Sequence, residues 1–184
     1  MKLITSAFLL TLLFFSGCDQ VAEINAPQEG VINKQLINLP QRIGLGVETQ
    51  TYTQDINGAN GGEFEQSYSY QDNYGGTVYQ SAKLNFFPGA FTGTENISMT
   101  FNIGGAAMEL GPAMQFQAAV KYTYEITGVD LTGVNPNTLE FVYIDASGNM
   151  YTVDYDDVIM DANTGMLKVV NAVLPHFSRY GFVN

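Results

Sequence analysis

From residue 41 onward the apolar positions recur every second residue, the period of a strand with one face turned to a core. Val78, Gln80, Ala82, Leu84 and Phe86 share one face, with Ser81, Lys83 and Asn85 on the other. Ile97, Met99 and Phe101 alternate with Asn96, Ser98, Thr100 and Asn102. Phe116, Ala118, Val120, Tyr122, Tyr124 and Ile126 alternate with Gln117, Lys121, Thr123 and Glu125. Leu139, Phe141 and Tyr143 lead into a turn at 145–149, and Met150 to Tyr155 return as the second arm of a hairpin. A turn at 161–165 precedes a strand from Met166 to Val173, and a last strand covers 177–183. No stretch holds a helical period with caps, and Gly or Pro interrupts the pattern every ~8–15 residues, the spacing of an antiparallel sandwich. The pattern predicts an all-β fold, one antiparallel β-sandwich over residues 41–184. Tyr52, Phe64, Tyr68 and Tyr70 imply further strands whose register stays open.

The N-terminus follows a different rule. Lys2 is followed by an almost unbroken apolar run from Leu3 to Phe15, then by Ser16, Gly17 and Cys18. A basic start, a short apolar run and small residues form a secretory signal, and the run is shorter than the ~20 residues of a membrane-spanning helix. Phe15-Ser16-Gly17-Cys18 resembles the lipobox of bacterial lipoproteins, with Phe15 standing where that family usually has Leu. The resemblance implies removal of residues 1–17 and acylation of Cys18, at its thiol and at its new amine. Three acyl chains, at about 0.8 kcal/mol per buried methylene, would hold the protein to a membrane far more firmly than one. Residues 18–40, with Asn25, Pro27, Gly30, Asn33, Asn38 and Pro40, read as the lipidated cysteine and a flexible tether. Twenty-two residues of coil span about 25 Å root-mean-square. Docking of part of this stretch as an edge strand is the other reading. Asp19 resembles the inner-membrane retention signal of enteric bacteria.

Composition narrows the function. Cys18 is the only cysteine, so no intramolecular disulfide can staple the fold. Charged residues make up 14% of the chain, against roughly 25% in an average soluble domain. The net charge is −11, and without Lys2 the chain from Cys18 carries −12, 6 basic against 18 acidic groups. A chain this acidic, with no Lys or Arg cluster, is no nucleic-acid binder.

Gly75-Gly76-Thr77-Val78, Phe87-Pro88-Gly89-Ala90 and His176-Phe177-Ser178-Arg179-Tyr180 together resemble the ZU5-like domain, across residues 70–184. They match its opening strand, its Pro-x-Gly-Ala-type turn and its closing His-Phe-Ser-x-Tyr stretch. Pro88 fixes φ and Gly89 permits a positive one, so this pair suits a chain reversal. Some relatives of this fold cleave themselves between Phe and Ser of the closing stretch. Carried over, Ser178 is the nucleophile, His176 the base and Phe177–Ser178 the scissile bond.

Two other groups of residues carry chemistry. Asp154, Asp156, Asp157, Asp161 and Asn163 offer hard oxygen ligands for calcium, though not at EF-hand spacing, and equally suit a solvated strand edge. Tyr68, Tyr70, Tyr74 and Tyr79 suggest a stacking surface for sugar rings. No cofactor motif is present. The sequence is read as a non-catalytic binding or structural module of the bacterial cell envelope, periplasmic or surface-facing. Its expected partners are the membrane, through the lipid on Cys18, and an envelope protein or glycan. A self-processing domain is the alternative, and a carbohydrate-binding or carboxylate-based glycan-active protein the third reading.

Overall fold

The computed structural model describes residues 33–44, 49–102 and 104–184, so the lipobox, with Cys18 and Asp19, lies outside the described residues. Among the described residues there are eleven strands: β1 (Gln50–Asn57), β2 (Gly62–Gln71), β3 (Thr77–Phe86), β4 (Thr94–Phe101), β5 (Ala107–Gly111), β6 (Gln115–Thr127), β7 (Glu140–Ile144), β8 (Met150–Thr152), β9 (Asp157–Asp161), β10 (Met166–His176) and β11 (Arg179–Val183). They form a six-stranded sheet in the order β1-β4-β5-β11-β7-β8 and a five-stranded sheet in the order β2-β3-β6-β10-β9. Every pairing is antiparallel, and the two sheets pack face to face as an all-β sandwich, as the alternating pattern predicts.

The inward faces are those the period-two pattern marks. Val78, Gln80, Ala82, Leu84 and Phe86 of β3 are buried, as are Ile97, Met99 and Phe101 of β4. The inner face of β6 is fully buried from Val120 to Ile126, and nearer its start Phe116 is half-buried against the core. The core is strongly aromatic. Phe116 and Phe177 meet edge to face at 4.8 Å beside Phe86, and Phe141 and Phe182 do so at 5.1 Å. Gln80 is buried with both ends of its amide satisfied. Its Nε2 donates to the Asn102 carbonyl at 3.1 Å, and its Oε1 accepts from the Tyr124 hydroxyl. The first bond ties β3 to the end of β4 across the two layers, and the second ties it to β6 in its own sheet.

Two features depart from the expected pattern. The second hairpin arm ends at Thr152, and residues 153–156 cross to the other sheet, where Val153 and Tyr155 pack against the core. The tether predicted up to residue 40 stops earlier, because residues 35–39 dock. Gln35 and Asn184 exchange backbone hydrogen bonds at 3.2 and 3.0 Å, Ile37 N–H donates to the Phe182 carbonyl, and Ala106 N–H donates to that of Ile37. This arm is wedged between the start of β5 and the end of β11. Ile37 and Leu39 enter the core. Leu36 lies over two glycines: a Cβ on Gly181 would stand 2.9 Å from Leu36 Cδ1, and one on Gly105 would collide with Cδ2. The bare glycines therefore form the socket for the arm.

β10 belongs to one sheet and β11 to the other, so residues 177–178 are the corner where the chain changes layer. Phe177 is buried there, its N–H donating to the Met114 carbonyl at 2.9 Å, and Leu110 N–H donates to the Ser178 carbonyl at 2.9 Å. The buried Tyr180 hydroxyl donates back to the His176 carbonyl at 2.6 Å, in the manner of a tyrosine corner.

Tyr180→Phe leaves that carbonyl without its donor and is expected to cost about 1–3 kcal/mol in denaturant unfolding of the full chain. Gly181→Val fills the arm's socket. Overpacking of this kind costs about 1–3 kcal/mol, and amide exchange at Ile37 should accelerate before that of the β3 amides. Equal protection of Ile37 in the variant would refute the socket.

Candidate binding cleft

An open cleft of about 480 Å³ lies where the docked arm meets two turns. Its first wall is the arm itself, at Asn38, Leu39, Pro40 and Gln41. The arm is fixed here because the Tyr70 hydroxyl donates to the Pro40 carbonyl at 2.7 Å and Asn73 N–H donates to that of Gln41 at 2.9 Å. Burial raises the Tyr70 hydroxyl far above its ordinary range, with Asp72 and Tyr68 adding to the effect, so it stays a neutral donor.

The second wall is the β2–β3 turn. Asp72 is buried, and its Oδ1 accepts from Tyr74 N–H at 2.8 Å and Gly76 N–H at 2.7 Å, an Asx-type turn. Gly75 has φ +82°, and a Cβ on Gly76 would stand 2.8 Å from Asp72 Oδ2, so both glycines are required by the turn. The turn projects Tyr74 almost wholly into solvent, at 92% exposure. The third wall is Gly128-Val129-Asp130. Val129 N–H donates to the Gly165 carbonyl at 3.1 Å, and a Cβ on Gly128 would collide with the Thr77 carbonyl. Asp130 Oδ1 accepts from Thr132 N–H at 2.9 Å. Hydrogen bonds from the Thr132 hydroxyl and backbone hold this carboxyl below its usual range.

The cleft thus has an apolar floor of Leu39 and Val129, both buried, beneath carboxylate and amide groups with one free aromatic ring at the rim. It can accept hydrogen bonds from a polar ligand and cover an apolar face.

Of the four tyrosines the sequence suggested as a sugar surface, Tyr74 alone reaches this cleft. Tyr70 is buried and Tyr68 half-buried against Phe101, because both share the parity of the core residue Phe64. Tyr79 is exposed on the outer face of the five-stranded sheet, opposite Thr127 and Ser69. The four do not make one platform.

The aspartates suggested for calcium are likewise spread out. Asp156 Oδ2 accepts from Asn171 Nδ2 at 2.7 Å, and Asp161 accepts from Asn163 N–H and the Thr164 hydroxyl at the β9–β10 turn. Asp157 opens β9 opposite Val170, and the Asp154 backbone carbonyl accepts from Val173 N–H. Among the described residues no three His, Cys, Asp or Glu are grouped to hold a metal.

At the closing corner the His176 ring lies edge-on against Tyr143, with centroids 4.6 Å apart. Among the described residues no hydrogen bond joins it to Ser178. Sequence reasoning missed Asn38, Gln41, Asp72, Asn73 and Asp130. The one available signal was Asp72 standing just before a glycine pair, the composition of a tight turn. Comparison with family models, with curated proteins and with solved structures finds no match.

His176 is the only histidine, and burial lowers its pKa. The unfolded chain takes up this proton near the ordinary value of about 6.5, whereas the folded chain does so only at lower pH. The unfolded state therefore binds more protons, and stability falls as pH drops below about 6.5. Thermal unfolding of the full chain between pH 8 and pH 5 should show this decline, and His176→Gln should flatten it between pH 7 and pH 5.

Proposed function

We propose that the chain is a non-catalytic binding module of the bacterial cell envelope, held to a membrane through acylated Cys18. The observation that carries the binding part is the cleft, where three rigid backbone segments present carboxylates, amides and a free tyrosine around an apolar floor. The lipobox-like run Phe15-Ser16-Gly17-Cys18 supports the anchoring part, and the docked arm sets where the chain enters the domain. Residues 35–39 enter the six-stranded sheet beside Asn184, so the chain coming from Cys18 meets the domain at a fixed point next to the cleft. The His-Phe-Ser-x-Tyr stretch takes a structural role in this reading, since Phe177 fills the core and Tyr180 closes the corner.

The test is expression of the full chain in a bacterial host, followed by fractionation and intact-mass measurement. The expected species sits in the membrane fraction with the mass of residues 18–184 plus acyl groups, and Cys18→Ala abolishes both acylation and membrane retention. An unprocessed chain of residues 1–184 in the soluble fraction would overturn the anchor. Loss of residues 178–184, prevented by Ser178→Ala, would replace this reading with that of a self-processing domain.

A further inference from the structure

The chemistry of the cleft restricts what it can hold. Asp72 and Asp130 place two carboxylates in its lining, Asn38, Gln41 and Asn73 add amides, and no lining residue is Lys, Arg or His. A phosphate or carboxylate brought against this lining meets the like charge of Asp72 and Asp130, while Arg42, bridged opposite Asp72, lies outside the lining. A purely apolar ligand fares no better, since it would strip water from carboxylates and give no hydrogen bond in return. The ligand that suits the lining carries many hydroxyl donors and also has an apolar face.

The aromatic ring supplies the second constraint. Tyr74 is the most exposed of the large hydrophobic side chains described, although 36 other hydrophobic residues are buried. It is held out by its own turn, through the bond from its N–H to Asp72, so its position is fixed while its ring is free. A ring fixed at the mouth of an acceptor-lined cleft can stack on the C–H face of a pyranose while hydroxyls at the sugar's edge reach the carboxylates and amides. We propose that this cleft binds a neutral, polyhydroxylated saccharide, with Tyr74 as the stacking residue and Asp130 as a hydroxyl acceptor. The proposal deepens the binding-module reading and rests on it.

The substitutions that test it leave the fold alone. Tyr74→Ala removes a solvent-exposed ring, and Asp130→Asn keeps an oxygen for Thr132 N–H while removing the charge. Detergent-purified full chain is titrated with cellohexaose and chitohexaose, and with a lysine hexapeptide as a cationic probe. In parallel it is sedimented with lipid-free peptidoglycan sacculi. At least one neutral hexasaccharide is expected to bind, with its Kd raised at least about tenfold by Tyr74→Ala and by Asp130→Asn, and unchanged by Tyr79→Ala, an exposed tyrosine on the outer face of the five-stranded sheet that does not line the cleft. Failure of both saccharides, or binding that Tyr74→Ala leaves intact, overturns the assignment. Binding of the lysine peptide alone overturns it in favour of a basic peptide ligand. Sacculus binding that persists in Tyr74→Ala, with both saccharides silent, removes the saccharide while leaving the binding-module reading in place. No binding to any of these probes removes both.

Discussion

The fold depends on one corner. The last strand of the five-stranded sheet, β10, hands the chain to β11 in the six-stranded sheet through Phe177 and Ser178, and β11 is an inner strand with β5 on one side and β7 on the other. A misplaced corner would therefore disturb three strands of one sheet and β10, an inner strand, of the other. Two kinds of force hold it. Phe177 is packed edge to face between Phe86 and Phe116, and the Tyr180 hydroxyl satisfies the His176 carbonyl that the change of direction takes out of the ladder. Burial alone would tolerate small slips of register, whereas a hydrogen bond of 2.6 Å to one carbonyl does not. With a single cysteine no disulfide can do this work.

The cleft inherits its shape from that corner. β11 offers Phe182 and Asn184 to the arm, the arm carries Asn38 to Gln41 into position, and Tyr70 and Asn73 then lock those residues against the β2–β3 turn. Each step joins residues far apart in sequence, from 35 to 184 and from 40 to 70. The cleft therefore depends on tertiary contacts drawn from the whole chain, the C-terminal strand included. Edge protection follows a more local logic. β9, an outer strand, begins with Asp157 and ends with Asp161, and β8 at the edge of the other sheet is three residues long. Charges and brevity of this kind discourage pairing with another chain.

What the sequence discloses and what it conceals divide along this line. The strands β3 and β4 were legible because alternation is a property of neighbours in sequence, and Leu84 or Met99 needs no knowledge of its partner to be recognised as inward. The arm was not. Leu36, Ile37 and Leu39 stand among Asn33, Asn38 and Pro40, which is the composition of a linker, and what makes them structural is a pair of glycines at 105 and 181. The tyrosines show the same limit at closer range. Tyr68 and Tyr70 share parity with Phe64, so their inward direction could have been read, whereas Tyr74 owes its exposure to the Asx-type turn built on Asp72. Asp72 and Asp130 lie 58 positions apart, and no motif links them.

The way the cleft is built bears on how strongly it can hold a ligand. A saccharide loses much of its binding energy to ordering, both its own and that of the side chains that reach for it. Here one Asp72 oxygen is already committed to two backbone N–H groups, Asp130 is held by Thr132, and the arm's backbone is pinned on both sides. These acceptors have little freedom left to lose. The same bonds that shape the turns fix the directions in which the remaining oxygen lone pairs point, so selectivity among sugars would follow from the geometry of their hydroxyls rather than from adjustment of the protein. Tyr74 stands exposed at the rim, and its ring can adapt to the face of whichever pyranose these fixed acceptors admit.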